Sequence, residues 1–128
     1  HYTSTYKVFV QPGKAVSLSP AIGLRKMSGD QKELDAAGGF LTVWQKMEKN
    51  AGNQGVAVVF DPKSFAREAE DKLNNLILMK PAEKPGLNYW AGFCWDKAGQ
   101  ITTSEAWKKY VAEFAQGVAA PIEVSVAP

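Results

Sequence analysis

The stretch LNYWAGFCW, residues 87–95, decides the fold of this chain. Alternate side chains of an extended strand point to opposite faces. One face then carries five apolar side chains, those of Leu87, Tyr89, Ala91, Phe93 and Trp95. The other face carries Trp90 and Cys94 on either side of Gly92. Because neither face is polar, the stretch predicts a central strand that is covered on both sides.

An amphipathic helix is predicted after this strand, beyond a tight turn at residues 96–99. Thr102 is the predicted N-cap, and Glu105 three residues later completes a capping box. Apolar residues then recur with the spacing of one helix face: Trp107, Tyr110, Val111, Phe114 and Val118. Gly117 is the predicted C-terminal stop. We therefore expect a helix that covers one face of a sheet.

The rest of the chain has the alternation and the turn residues of short strands. Besides residues 87–95, the predicted strands are residues 5–10, 15–19, 21–27, 40–47, 56–60, 76–79 and 121–126, the last as an edge strand. Residues 28–39 are polar and predict a long surface loop, and residues 64–73 predict a short helix or an ordered loop. Strands that follow one another without helices favour antiparallel pairing. The predicted fold class is mainly β, an antiparallel β-sandwich with one C-terminal amphipathic helix packed on a sheet.

Length and charge limit the classes of function. A chain of 128 residues is expected to form a single β-sandwich domain, residues 1–128. Its 15 basic and 13 acidic side chains leave a net charge of +2 without a basic stripe, so nucleic acid is not an expected partner. No apolar run approaches the roughly 20 residues that cross a bilayer, so no membrane insertion is predicted. The chain starts at His1 without an export signal, which favours a mature product or a piece of a longer protein.

Side chains for hydrolytic or nucleophilic catalysis are scarce. His1 is the only histidine and Cys94 the only cysteine, so a catalytic pair of histidine with serine or cysteine is not expected. Asp30, Glu33 and Asp35 lack the spacing of a calcium loop. We predict no catalytic residue, no metal site and no cofactor within the chain. The sequence alone leaves open whether the parent protein is an enzyme.

Aromatic residues beside polar ones form the candidate ligand site. Sugar rings stack on tryptophan and tyrosine through their apolar faces, while amide and charged side chains bind the hydroxyl groups. Two groups have this composition: Trp44 with Gln45 and Lys46, and Trp90 with Asn88. The alternative for each tryptophan is a place in the core, because a domain of this size fills its core with such residues. An oligo- or polysaccharide is the predicted partner.

Several segments resemble a known family. They are GFLTVWQK (39–46), QGVAVV (54–59), YWAGFCWDK (89–97), EAW (105–107) with Tyr110, and APIEV (120–124). Together they resemble the C-terminal part of a poorly characterised bacterial family, largely secreted, whose genes lie beside genes for the breakdown of pectin and related polysaccharides. The resemblance implies a galactose-mutarotase-like supersandwich, a secreted or periplasmic location and a carbohydrate context. It also implies that the chain is roughly half of its parent and contacts the missing N-terminal part, and it supplies no catalytic residue.

Three functional hypotheses follow. In the first, the chain is the C-terminal β-sandwich portion of a secreted polysaccharide-processing protein and contributes Trp44, Trp90 and nearby polar groups to a glycan cleft. In the second, it is a free-standing carbohydrate-binding module with affinity of its own. In the third, it is a structural half-sandwich without a ligand, which predicts an adhesive apolar face.

Overall fold

The computed structural model describes residues 1–5, 13, 19–81 and 86–125. The strands in this part of the chain are β1 (Tyr2–Ser4), β2 (Ala21–Arg25), β3 (Gln31–Asp35), β4 (Phe40–Lys46), β5 (Asn53–Phe60), β6 (Phe65–Glu70), β7 (Asn74–Met79) and β8 (Leu87–Trp95). The helix α1 spans Ser104–Ala119, and three short 3-10 turns lie at Glu48–Asn50, Pro62–Ser64 and Asp96–Ala98. The strands predicted at residues 5–10 and 15–19 lie outside the described residues, apart from one end residue of each.

The strands form two sheets. One sheet has the order β1-β8-β5-β4-β3 and the other has the order β2-β7-β6, and every pair of neighbours is antiparallel. The helix α1 packs on the larger sheet, mainly over β4 and β5. The structure therefore confirms the predicted fold class, an antiparallel β-sandwich with one C-terminal helix against a sheet.

The larger sheet is the middle of three layers, and β4 is the strand most deeply buried in it. Side chains of its two faces enter two separate clusters. The cluster under α1 contains Phe40, Trp44, Ala57, Val59, Trp107, Val111 and Ala115. The cluster between the two sheets contains Ile22, Leu41, Val58, Phe60, Ile77 and Met79. Burial of both faces explains why residues 40–47 and 56–60 are nearly continuous apolar runs.

The contact between α1 and the sheet depends on Gly55. A Cβ atom at this position would lie 2.6 Å from the ring of Trp107, so the indole lies directly against the backbone of β5. Trp107 is 2% exposed. The absence of a side chain at Gly55 thus allows the largest side chain of the helix to reach the sheet.

The strand β8 differs from the predicted central strand. It pairs with β1 along Leu87–Tyr89 and with β5 along Tyr89–Trp95. Because β1 has only three residues, Trp90–Trp95 has a strand neighbour on one side only within the described part of the chain. Phe93 is 77% exposed. The prediction that both faces of residues 87–95 are covered is therefore wrong for the second half of the strand.

Two segments that were predicted to lack strands contain them. Residues 28–39 hold β3, which pairs with β4 and ends in a turn where the Asp35 carboxylate accepts a hydrogen bond from Gly38 N at 2.7 Å. Its polar sequence suits an edge strand exposed to water. Residues 64–73 hold β6 instead of a helix or loop. The spacing of four residues between Phe65 and Ala69 fits the period of a strand as well as that of a helix.

The C-terminal end also differs from the prediction. Residues 121–125 form no strand, and Ile122 is 91% exposed, since no sheet edge lies beside them among the described residues. The N-cap of α1 is Thr103 instead of Thr102, and its hydroxyl accepts a hydrogen bond from Ala106 N at 3.2 Å. The helix continues through Gly117 to Ala119. Alternation alone predicts a strand only where a partner edge exists.

Candidate functional site

The two predicted tryptophans lie on the same face of the larger sheet but at different depths. Trp44 is 8% exposed and belongs to the cluster under α1, so a sugar ring has no access to it in this fold. Trp90 is half-buried at the margin of the same cluster. It is two strands away from Trp44 in the sheet, because β5 separates β4 from β8.

The polar residues predicted beside Trp44 do not surround it. Gln45 points to the opposite face of β4 and is 5% exposed, with its Oε1 atom buried and without a hydrogen-bond partner among the described residues. Lys46 is exposed at the end of the strand. Trp44, Gln45 and Lys46 are therefore neighbours in sequence that the strand directs to different environments.

The second predicted group stays together. Asn88 and Trp90 lie two residues apart on one face of β8, and Asn88 is exposed. Its Oδ1 atom accepts a hydrogen bond from the hydroxyl of Thr3 at 2.8 Å. The imidazole of His1 stacks on Trp90, with ring centroids 4.9 Å apart. Trp90 is thus a partly accessible indole against which one planar ring already packs.

A cleft at the end of α1 places charged groups beside Trp90. We call it the Trp90 cleft; its volume is about 440 Å³, and its lining includes Asp61, Lys63, Trp90, Ala115 and Val118. This volume falls within the roughly 300–1,000 Å³ of small-molecule sites. The turn Pro62–Ser64 fixes the polar wall, because Asp61 Oδ1 accepts a hydrogen bond from Lys63 N at 2.9 Å. The residues that line the cleft therefore include one with an indole, one with a carboxylate and one with an ammonium group.

An aromatic groove shares Trp90 with the cleft. Its volume is about 120 Å³, and its lining includes Trp90, Gly92, Trp107, Tyr110 and Phe114. Three of its rings form a continuous stack along α1, with centroids 5.8 Å apart between Trp107 and Tyr110 and 6.5 Å apart between Tyr110 and Phe114. Tyr110 is 50% exposed and Phe114 is 41% exposed. The aromatic groove therefore offers accessible rings to a ligand that occupies the cleft.

The sequence pattern indicated Trp90 and Asn88 but not the rest of this site. Tyr110 and Phe114 were placed on the core face of the helix, whereas the buried residues of α1 are Ser104, Trp107, Val111 and Ala115. The apolar face of α1 is wider than the part that contacts the sheet. This width was the feature of the sequence that could have indicated that some of its aromatic residues are exposed. Asp61 and Lys63 are adjacent to a proline turn after a buried strand, a position common for binding residues.

Asp96 has a structural role near the opposite end of β8. Its Oδ2 atom accepts hydrogen bonds from the backbone N and the Nδ2 of Asn53, both at 2.9 Å. Burial by itself would raise the pKa of Asp96, but the hydrogen bonds from Asn53, together with the backbone hydrogen bond and the charge of Lys97, outweigh that effect and lower the pKa below its ordinary value. Asp96 therefore joins the start of β5 to the end of β8 as a carboxylate.

Cys94 lies at the margin of the cluster under α1 and is half-buried. Burial raises the pKa of its thiol above the ordinary value, and the negative charge of Asp96 adds to the rise, although the backbone of Gly55 opposes it. A thiol with a raised pKa is a poor nucleophile at neutral pH.

In the part of the chain that the structure describes, no three histidine, cysteine or acidic side chains come together as a metal site would require.

No helix within the described ranges has both the length and the apolar character needed to cross a membrane. The fold and the site thus define a mainly β domain whose larger sheet is covered by a helix and bordered by an aromatic groove and a charged cleft.

The chain belongs to the family described as "Domain of unknown function (DUF4861)", whose model matches residues 1–124. It is also similar to a protein of Formosa agariphila described as "Uncharacterized protein P7", with 27% identity over 93 residues. The match covers 69% of this chain and 23% of that protein, so the chain corresponds to less than a quarter of the curated relative's length. No solved structure matches the chain.

Proposed function

We propose that this chain is a β-sandwich portion of a secreted bacterial protein that binds or processes polysaccharide, and that it holds a sugar unit at the Trp90 cleft. The observation that carries the proposal is the position of Trp90, between the charged wall of Asp61 and Lys63 and the exposed rings of Tyr110 and Phe114. Aromatic rings and charged groups on one accessible surface are the combination that sugars require.

Each part of the surface has a separate role in this proposal. The C–H face of a sugar ring stacks on Trp90 or Tyr110, which removes apolar surface from water. The Asp61 carboxylate accepts hydrogen bonds from hydroxyl groups, and the Lys63 ammonium donates to a hydroxyl or pairs with a uronate carboxylate. Asn88 lies on the same face of β8 as Trp90 and extends the polar border. Trp44 and Gln45 are buried and have no contact with the ligand in this proposal.

One observation from the sequence supports a glycan as the ligand class. Its aromatic and glycine segments resemble a family encoded beside pectin-degrading functions, which supports a secreted or periplasmic location and a pectin-type substrate. The resemblance also supports a supersandwich fold for the parent, of which this chain is the C-terminal part. In this proposal the chain contributes binding, and any bond cleavage depends on residues outside it.

The test is a screen of pectic, hemicellulosic and algal oligosaccharides, followed by fluorescence titration of each ligand that binds. Trp90→Ala and Tyr110→Ala are expected to weaken binding at least tenfold, while Tyr110→Phe retains most of it because the ring remains. Tyr2→Ala is the matched control, since Tyr2 is 54% exposed but stacks on Tyr89 at the other face of the sheet. Equal binding by all four variants, or no binding by folded wild-type protein, would refute the proposed site.

A second candidate function is purely structural. It is favoured by the exposed apolar surface of β8, where Phe93 and Trp95 are 77% and 42% exposed. Such a surface is typical of a protein interface. In this hypothesis the isolated chain has no affinity for sugars and contributes only stability to its parent. The remaining hypothesis, a free-standing carbohydrate-binding module, differs from the other two because it predicts that the isolated chain binds sugar as tightly as the full-length protein does.

A further inference from the structure

The outer edge of β8 is unpaired over its second half in the described part of the chain, and the strand register indicates which residues would pair there. The strand β1 lies along this edge only at Leu87–Tyr89, and the residues after Tyr89 pair only with β5 in the described part of the chain. The backbone N–H and C=O groups that point outward from Ala91–Trp95 therefore face no strand there. An open strand edge with apolar side chains is a template for a further strand.

The register of β1 shows which residues continue along this edge. Tyr2 lies opposite Tyr89, and Ser4 lies opposite Leu87. In an antiparallel pair each step back along one strand is one step forward along the other. His1 therefore falls opposite Trp90, and the five residues before it would fall opposite Ala91 to Trp95.

The side chains of the first residues agree with this continuation. Residues that lie opposite each other in an antiparallel pair share a face and contact each other. Tyr2 stacks on Tyr89 with centroids 5.4 Å apart, and His1 stacks on Trp90 with centroids 4.9 Å apart. The contacts of β1 with β8 thus continue from the paired Tyr2 to the stacked ring of His1, in the direction of the open edge.

We propose that β1 is the end of a longer strand, and that the five residues preceding His1 in the full-length protein occupy the outer edge of β8. The match to the relative from Formosa agariphila covers 23% of that protein's length, so the relative has further residues outside the matched segment. The added strand would complete a sheet whose edge is now β1 and the second half of β8.

The proposal assigns a face to each preceding residue. The first, third and fifth residues before His1 lie opposite Ala91, Phe93 and Trp95, on the face that they share with Tyr2. These positions are expected to be apolar or aromatic, because Phe93 would otherwise stay 77% exposed. The second and fourth residues lie on the same face as Trp90 and Cys94 and border the aromatic groove.

Disulfide cross-linking in the full-length protein, with its other cysteines replaced by serine, tests the register. One matched pair joins Phe93→Cys to a cysteine at the third residue before His1, in a Cys94→Ser background. The other joins native Cys94 to a cysteine at the fourth residue before His1. The two pairs sample both kinds of opposed position in an antiparallel ladder, so at least one has geometry suited to a disulfide.

The control pairs are shifted by one residue, joining Cys94 to the third residue before His1, and Phe93→Cys to the fourth. We expect an intramolecular disulfide in at least one matched pair and in neither shifted pair. Cross-linking of the shifted pairs, disulfides only between two molecules, or no cross-link in protein that retains wild-type circular dichroism would overturn the proposal. Hydrogen exchange of the Ala91 and Phe93 amides, which alternate with those that face β5, gives a second readout without substitutions, since the proposal predicts slower exchange in the full-length protein than in a chain that starts at His1.

Discussion

Gly55 is the residue on which the contact between α1 and the larger sheet depends. A methyl group there would meet the ring of Trp107 at 2.6 Å, and the ring is 2% exposed and enclosed by the core. We expect Gly55→Ala to lower the free energy of unfolding by about 1–3 kcal/mol, as is usual for overpacking. Urea denaturation monitored by circular dichroism measures the change.

Gly92 provides the matched control for this substitution. It lies on the same face of the sheet in β8, but a Cβ atom there has no neighbour within 4 Å. Gly92→Ala is therefore expected to keep or slightly raise stability, because glycine in a strand loses more conformational entropy than alanine. A similar loss in both variants would show that Trp107 does not lie against Gly55.

Individual residues also show how far the sequence predicted the candidate site. Trp90 and Asn88 were found because an aromatic and a polar residue lie close together in residues 87–95. Trp44 had the same local pattern, yet it is 8% exposed because α1, which follows much later in the chain, covers it. Exposure of a strand residue depends on elements distant in sequence, so the pattern around Trp44 contained no information on its burial.

The β6–β7 hairpin is stabilised by the carboxylate of Asp71. Its Oδ1 atom accepts hydrogen bonds from the backbone N of Leu73 and of Asn74, both at 2.7 Å. The hydrogen bond from Leu73, followed by that from the Asn74 side chain, lowers the pKa of Asp71 below its ordinary value of 3.8. A lowered pKa in the folded state stabilises the protein above the ordinary value, and this stabilisation disappears as the pH falls through the folded-state pKa.

The variant Asp71→Ala tests this dependence. At neutral pH it is expected to melt at a lower temperature than wild type, because the turn loses its acceptor. The difference in melting temperature should shrink as the pH falls below 3.8, where the wild-type carboxylate becomes protonated. Calorimetry at several pH values between neutral and strongly acidic measures it. A difference that is constant over this range would show that the charge has no part in the turn.

The start of α1 distinguishes two neighbouring threonines. Thr103 Oγ1 accepts the hydrogen bond from Ala106 N, so Thr103→Ala is expected to cost about 1 kcal/mol. Thr102→Ala is the control and should change stability by less than about 0.5 kcal/mol, because Thr102 is exposed outside the helix. Chemical denaturation of both variants compares the two costs. If Thr102→Ala cost more stability than Thr103→Ala, Thr102 would be the N-cap and would form the predicted capping box with Glu105.

The elements that the sequence predicted correctly include the strands with the densest apolar sequences. The strands β4 and β5 are buried on both faces, and β7 is the middle strand of the smaller sheet. The strands β3 and β6 were missed because edge strands contact water and carry polar residues. Periodicity reports which side chains are apolar, whereas strand pairing also requires a partner edge, which no local pattern contains.

In the whole molecule, both unexpected surfaces lie where the described residues stop covering the larger sheet. One is the outer edge of β8 with the exposed Phe93, and the other is the aromatic groove with Tyr110 and Phe114. The apolar pattern of residues 87–95 predicted burial on both faces, but in the described part of the chain no segment covers the second half of the strand on its outer side. The proposed strand before His1 would supply cover at the first surface and leave the aromatic groove open to a ligand.

The four tryptophans allow one spectrum to locate a bound sugar. Their indole N–H groups give separate signals in the ¹⁵N–¹H spectrum, and a pectic oligosaccharide can be titrated into the labelled chain. The Trp90 and Trp107 signals are expected to shift, because both residues line the aromatic groove. The Trp44 signal should stay in place because the residue lines neither the aromatic groove nor the Trp90 cleft, and the Trp95 signal should stay because its Nε1 donates to Ala51 O at 2.8 Å, away from the cleft. Shifts confined to Trp95, or no shift at any sugar concentration while the chain stays folded, would contradict sugar binding at Trp90.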